Sequence, residues 1–206
     1  MAQPKLSRKE REYLRHRQEI IEAALDLFSK NGFHNVTMHA IAKESEFAVG
    51  TLYKFFSNKK ALYKALILEK STEFHSVLLK AMENDMDEVG CIKGYLETLI
   101  SVFMNNLKFV RLYLLEAREA SFNIRAGLDE RIKAKHQQLL NKLMGIFKRG
   151  IKKKIFKSFD PYLLATALEG ITYAFIVQHL DHPDEHPFNA DLIIQLFFET
   201  IMEREP

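Results

Sequence analysis

The stretch VGTLYKFFSNKKAL, residues 49–62, sets Tyr53, Phe55 and Phe56 among Lys54, Lys59 and Lys60 directly after a glycine and a threonine. A solvated basic face has no use for three aromatic rings, and a buried face cannot hold three unpaired ammonium groups. The two residue classes must divide between two sides of the segment, one packed inward and the other turned to a polyanion. Val49 offers an apolar contact for a thymine methyl, Thr51 a hydroxyl and a methyl, and Lys54 a donor for a guanine edge or a phosphate. Gly50 has no side chain to hold the backbone away from a duplex. Tyr53 and Lys59 can donate to phosphate oxygens, the lysine with charge assistance. Leu52 and Phe56 point the other way, into a small core.

Such contacts require a short helix presented to a groove. Upstream, Thr37 can cap a helix by accepting from the N–H groups of its first turn, with Met38, Ile41 and Ala42 turned inward and an end near Glu44 or Ser45. A further helix from Val49 to Phe55 follows across a tight turn. Two short helices so joined are the parts of a helix-turn-helix, whose second helix can enter the DNA major groove. Ahead of them Ile20, Ile21, Ala24, Leu25, Leu27 and Phe28 mark one face of a first helix, which Asn31-Gly32 closes in a left-handed conformation with Phe33 as its apolar contact. Ser57 is expected to cap a fourth helix running through Leu62, Leu66 and Phe74 toward Met82.

From Met82 to Gly90 the sequence MENDMDEVG is polar and acidic, the expected joint between two units. Beyond it apolar periodicity predicts helices near 91–104, 107–120, 127–155, 160–181 and 188–204, with Gly150, Pro161, Pro183 and Pro187 as punctuation. Strand signals are almost absent. The expected fold is all-α, a three-helix N-terminal helix-turn-helix domain plus a larger C-terminal helical bundle. Residues 1–56 form the arm and DNA-binding domain, 57–82 a connecting helix, and 83–206 the C-terminal domain.

Of 206 residues, 47 % are hydrophobic and 28 % charged, which excludes a disordered chain. The single cysteine, Cys91, excludes an internal disulfide and a cysteine-based zinc site. The charged N-terminus is unlike a secretory signal, and no run approaches eighteen consecutive apolar residues, so a soluble cytoplasmic protein without a membrane span is expected. Residues 1–80 carry 14 Lys+Arg against 9 Asp+Glu, and the remainder 16 against 18, so the front of the chain is its basic part. That asymmetry suits a polyanion-binding unit ahead of a nearly neutral body.

The run from Ile20 to Leu66, with TMHAIAKE and then GTLYKFFSNKKAL, resembles the N-terminal DNA-binding domain of the tetracycline-repressor (TetR) family. The G-T-L-Y-x-x-F-x-N-K-x-x-L spacing at 50–62 carries the resemblance. It implies a homodimeric repressor whose C-terminal helical domain binds a small molecule and releases operator DNA. The DNA-contacting residues are then Thr37, Val49, Gly50, Thr51, Tyr53, Lys54 and Lys59. Three positions depart from the family pattern: Glu46 where the turn often holds glycine, Ala48 where serine usually caps the recognition helix, and Phe55 where histidine or tyrosine often stands near a phosphate.

In such a C-terminal domain Phe103, Tyr113, Phe122, Met144 and Tyr173 either fill the bundle core or line an effector pocket. Arg118 and Glu169 are polar anchors for that ligand or face water. Gly170 and Ala174, four apart on the helix starting at Pro161, permit close helix approach, in a dimer interface with the last helix or within one subunit.

The basic segment FKRGIKKKIFK, 147–157, reads as a solvated helix end whose cations suit the helix dipole, or as a site for the phosphates of an anionic effector such as an acyl-coenzyme. Arg8, Lys9, Arg11, Arg15 and Arg17 form an N-terminal arm that reaches along DNA or lies solvated. His179, His182 and His186 stand near Asp181, Asp184 and Glu185, but Pro183 breaks the helix between them, so a loop is expected there and no metal or other cofactor. No Glu-x-x-His pair, glycine-rich phosphate loop or activated nucleophile supports an enzyme built on a helical bundle. The other alternative is an interaction protein that binds no operator.

Overall fold

The computed structural model of the chain describes residues 6–83, 86–118, 130–186 and 188–203; for residues 113–118 and 190 it describes the backbone alone. Among the described residues there are nine α-helices: α1 Arg8–Asn35, α2 Met38–Glu44, α3 Val49–Phe55, α4 Lys59–Ala81, α5 Glu88–Met104, α6 Leu107–Arg118, α7 Glu130–Lys152, α8 Pro161–Asp181 and α9 Ala190–Ile201. The fold is all-α, as the periodicity predicts, and one isolated bridge pairs Phe156 with Met202.

Side-chain acceptors start most of these helices by taking an N–H that the helix itself leaves unpaired. Thr37 Oγ1 accepts from Ala40 N at 3.1 Å, as expected. At α4 the cap is Asn58 and not Ser57: Asn58 Oδ1 accepts from Ala61 N at 2.9 Å. Asp87, Asp160 and Asn189 cap α5, α8 and α9. Ser7 and Glu10 form a reciprocal capping box, Ser7 N donating to Glu10 Oε2 at 2.8 Å and Glu10 N to Ser7 Oγ at 3.2 Å. The expected arm is therefore helical from Arg8 onward.

Gly32 breaks α1 differently from the left-handed stop expected of it. Its φ is 74° but its ψ is 159°, an extended conformation open to glycine, after which the chain makes one more helical turn to Asn35. The left-handed residue lies farther on, at Glu46, with φ 58°. Phe47 N donates to Ala42 O at 2.9 Å and Glu46 N to Lys43 O at 3.2 Å, so the turn of the helix-turn-helix is a Schellman motif with a glutamate where glycine is favoured. Left-handed backbone costs an ordinary residue about 1–2 kcal/mol, and glycine's extra freedom when unfolded returns about 0.4–1 of it. Glu46→Gly is expected to raise stability by about 0.5–1 kcal/mol, measured as a higher urea midpoint; an unchanged or lower midpoint would show the turn unstrained.

The chain divides into two compact units, Met1–Lys70 with Lys108–Phe122, and Ser71–Leu107 with Asn123–Pro206. The division falls inside α4, not at the acidic stretch near Gly90. In the first unit Ile20, Ile21, Ala24, Leu25 and Phe28 of α1, Ile41 of α2, Leu52 of α3, and Leu62, Tyr63 and Leu66 of α4 are buried. Ion pairs join its helices: Arg17 to Glu69, Lys70 to Glu22 at 3.0 Å, and Lys108 of α6 to Asp26 at 2.6 Å.

In the second unit α7 packs against α5 and α8, and α9 against α5 and α8. Phe147, Phe156, Phe197 and Phe198 are among its core residues, with Phe147 5.7 Å from Phe156 and 5.9 Å from Phe197 between ring centroids. Gly150 does not punctuate α7, which continues to Lys152; it lies under the Phe156 ring. The helix ends in a second Schellman motif, Lys154 taking φ 58° while Ile155 N donates to Gly150 O at 2.9 Å. The 147–157 cluster is partly neutralised. Glu88, its side chain 5 % exposed, meets Lys153 Nζ at 2.8 Å and Arg149 Nε at 3.5 Å. The hydrogen bond from Lys153 holds its carboxyl below the usual range against the opposing effect of burial.

Candidate functional site

The helix-turn-helix presents two faces, as its residue types require. Leu52 and Phe56 are buried, Val49 and Thr51 half-buried, and Thr37, Gly50, Tyr53 and Lys54 exposed, Tyr53 at 50 %. Phe55 packs on Tyr13 of α1, ring centroids 4.7 Å apart, so the departure from the family pattern at this position serves the α1–α3 contact. His16 of α1 meets Phe47 of the turn at 5.0 Å. Ala48 makes no side-chain cap, and the start of α3 relies on the backbone bond from Thr51 N to Ala48 O at 2.8 Å.

Gly50 is the informative residue. A Cβ built there meets nothing within 4 Å. Glycine inside a helix costs about 1 kcal/mol relative to alanine, and no packing among the described residues asks for it. What the missing side chain leaves room for lies outside the protein, on the face that carries Thr51 and Lys54.

Lys59 is placed otherwise than its expected phosphate role requires. Its Nζ donates to Val36 O at 2.6 Å, Phe33 O at 2.7 Å and His34 O at 3.2 Å. It also lies 4.5 Å from the centroid of the Phe33 ring. An ammonium has three protons, and all three are directed at backbone carbonyls. Arg17, expected in a basic arm, is likewise occupied, pairing with Glu69 and lying 5.2 Å from the centroid of Phe56. Arg11 donates to Leu6 O at 3.0 Å, and Arg15 lies 3.8 Å from Glu19. The capping box was readable in Ser7-x-x-Glu10. The partners of Lys59 and Arg17 lie 23 to 52 positions away along the chain and leave no local signal.

In the second unit the candidate effector residues separate. Phe103 is buried and stacks on Phe188 at 6.0 Å; Met144 is half-buried against the core. Glu169 is half-buried, its Oε2 3.7 Å from His136 Nε2, and burial raises its carboxyl while His136 opposes the rise. Tyr173 is 47 % exposed and lines no interior, a correction to its expected place. The side chains of Tyr113 and Arg118, and all of Phe122, lie outside the described residues.

Two further polar groups stand near the pair of Glu169 and His136, Tyr95 by Glu169 and His75 by His136. Tyr95 of α5 is 1 % exposed, its phenol pushed up by burial and by the charge of Glu169. His75 of α4 has Nδ1 2.6 Å from Ser71 O and its ring 6.4 Å from that of His136; burial pushes its pKa down. Tyr95 of α5 is thus buried and His75 of α4 and Glu169 of α8 half-buried, while His136 of α7 stands exposed beside them. The loop from His179 to His186 is closed by its backbone, and no group of three or more metal-ligating side chains occurs among the described residues.

Residues 20–66 match the family model for bacterial regulatory proteins of the tetR family. Over 140 residues the chain is 32 % identical to the fatty acid metabolism regulator protein of Bacillus subtilis, covering 65 % of this chain and 67 % of that one. The chain belongs to the TetR family. TetR-family proteins are transcriptional regulators, and this TetR-family member is a ligand-responsive, DNA-binding one with the family's helix-turn-helix. Two solved structures share the fold. The fatty acid degradation regulator FadR from Bacillus halodurans superposes with a TM-score of 0.76 at 21 % identity over 95 % of this chain and 97 % of that one. FadR from Bacillus subtilis, solved in complex with stearoyl-CoA, gives 0.73 at 21 % identity over 88 % and 97 %.

Proposed function

We propose that this TetR-family protein is a cytoplasmic homodimeric repressor that acts by binding alone, holding an operator through α2 and α3 and releasing it when an acyl-bearing amphipathic effector occupies the second unit. The observation that carries the DNA-binding part is the face of Gly50, Thr51, Tyr53 and Lys54, in which the protein's own packing leaves Gly50 without a purpose. Thr37 and Val49 flank that face. Residues 1–56 do the reading, α4 connects, and residues 83–206 receive the ligand and the second subunit.

Selection of duplexes from a random pool is expected to return a palindrome, and raising salt to weaken binding steeply as phosphates are released to counterions. No selected sequence and no salt slope would reject the reading. Within the selected site, Thr51→Ala or Lys54→Ala is expected to lose about 1–3 kcal/mol at one base pair. Equal losses on random DNA would assign those side chains to the backbone.

The effector reading is supported by the apolar second unit, which holds buried Tyr95 near half-buried Glu169, and by the acyl-CoA bound to the Bacillus subtilis protein. Phe103 and Met144 belong to the same body. By linkage, an acyl-CoA that lowers operator affinity must itself be bound more weakly when operator is present, by the same factor.

Dimerisation is supported by α8, which is apolar on two sides. Leu164, Ala165, Leu168 and Ile176 are buried, while Leu163, Ala167, Gly170, Tyr173 and Ala174 are exposed, and on α9 Leu192 and Leu196 are exposed too. By length and composition alone α8 is apolar enough to cross a membrane, and 28 % of its most apolar stretch is buried. A helix apolar all round is normally buried all round. Gly170 has nothing within 4 Å of a built Cβ and Ala174 is exposed, so these small residues serve no packing among the described residues, and a second copy of α8 is the partner they fit.

A further inference from the structure

We infer that Lys59 is a positioning residue for DNA recognition, a clasp that fixes α2 and α3 by gathering the carbonyls of the α1–α2 connection onto the first residue of α4. The inference rests on the DNA-binding reading above. The three acceptors are Phe33, His34 and Val36, bonded at 2.7, 3.2 and 2.6 Å. They come from the turn that follows the break at Gly32 and from the residue just before Thr37, the cap of α2. The last carbonyls of a helix have no partners within it and attract a cation. Gly32 leaves such carbonyls close to the start of α4.

The side chain is held from below as well. Phe33, over whose face the ammonium lies, packs edge-on to Tyr63 of α4 at 5.1 Å and near Phe28 of α1 at 5.6 Å. Burial lowers the pKa of Lys59, the mark of an ammonium partly withdrawn from water, whereas a lysine waiting for phosphate would stay solvated. One residue thus ties the end of α1, the entry to α2 and the start of α4, and the recognition helix follows α2 through a tight turn.

Lys59→Met keeps the aliphatic stem and removes the ammonium; Lys59→Arg keeps the charge but offers a planar fork to three carbonyls that converge on one point. Both are measured well below their thermal midpoints, on the selected operator and on random duplex, at several salt concentrations. The expected result is a midpoint lowered by roughly 5–10 °C for Met. Operator affinity should fall about tenfold for both variants, with affinity for random DNA and the salt slope unchanged, because a displaced reading helix loses base contacts before backbone attraction.

Three results would overturn the inference. A phosphate ligand would lower operator and random affinities equally in the Met variant, with the slope reduced by about 0.9 per contact, and the Arg variant would bind at least as well as wild type. A merely structural lysine would lower the midpoint and leave folded-state operator affinity unmoved. Unchanged midpoints in both variants would remove the clasp altogether. A wild-type protein that selects no DNA would instead overturn the regulator reading, and the midpoints would still decide whether the clasp exists.

Discussion

Gly150→Ala is expected to be the most damaging single-methyl change in the second unit. A Cβ at that position would stand 2.3 Å from Phe156 Cδ2 and 2.4 Å from Cε2, well inside contact distance. The ring has little room to retreat: Phe156 is 1 % exposed and lies 5.7 Å from Phe147 and 6.4 Å from Phe198. Its backbone is held by the bridge to Met202 and by Phe156 N donating to Gly150 O at 3.4 Å. Overpacking of this kind costs typically about 1–3 kcal/mol and occasionally more, while alanine gains about 1 kcal/mol over glycine in a helix. The clash should win. A net loss of up to about 2 kcal/mol is expected, read from thermal or urea unfolding. Gly150→Ala combined with Phe156→Leu should lose less than the sum of the two single changes, since they share one space. A neutral Gly150→Ala would show that the core can shift.

Leu163→Glu is expected to act on assembly and leave the fold of one chain intact. Leu163 is 63 % exposed, so the isolated subunit loses almost no packing, and changes at such positions usually stay within about ±0.5 kcal/mol. In a dimer built on the outer face of α8 two glutamates would approach each other in an apolar seam. The dimer should dissociate at micromolar concentration, visible by sedimentation. Binding two half-sites through linked modules adds about 10²–10⁴ to affinity, and operator affinity should fall by that factor while acyl-CoA binding by the monomer persists. An intact dimer with unaltered operator binding would place the interface elsewhere.

What the sequence disclosed follows the range of the interactions involved. Thr37 as a cap and Val49–Phe55 as a helix depend on residues three or four positions apart, and both stand where spacing puts them. Glu46 could be marked as strained because a turn of that length needs one left-handed residue. For Lys59 charge and position suit a phosphate, while its carbonyl partners become neighbours only when α1 folds back on α4. The pairing of Glu88 with Lys153, 65 residues apart, was hidden for the same reason. For α8 the difficulty was different: when both sides of a helix are apolar, periodicity cannot say which one the chain itself covers. Tyr173 fell on the open side.

The first compact unit is discontinuous, residues 1–70 being joined by 108–122. Regulators with exchanged specificities are commonly imagined as cassettes, a DNA-reading head cut from one protein and spliced ahead of another's sensing body. Here a single splice after residue 70 would leave Lys108 behind and hand Asp26 to whatever α6 the recipient supplied. A working chimera would have to graft Lys108 with the head, or choose a recipient that already carries a cation there.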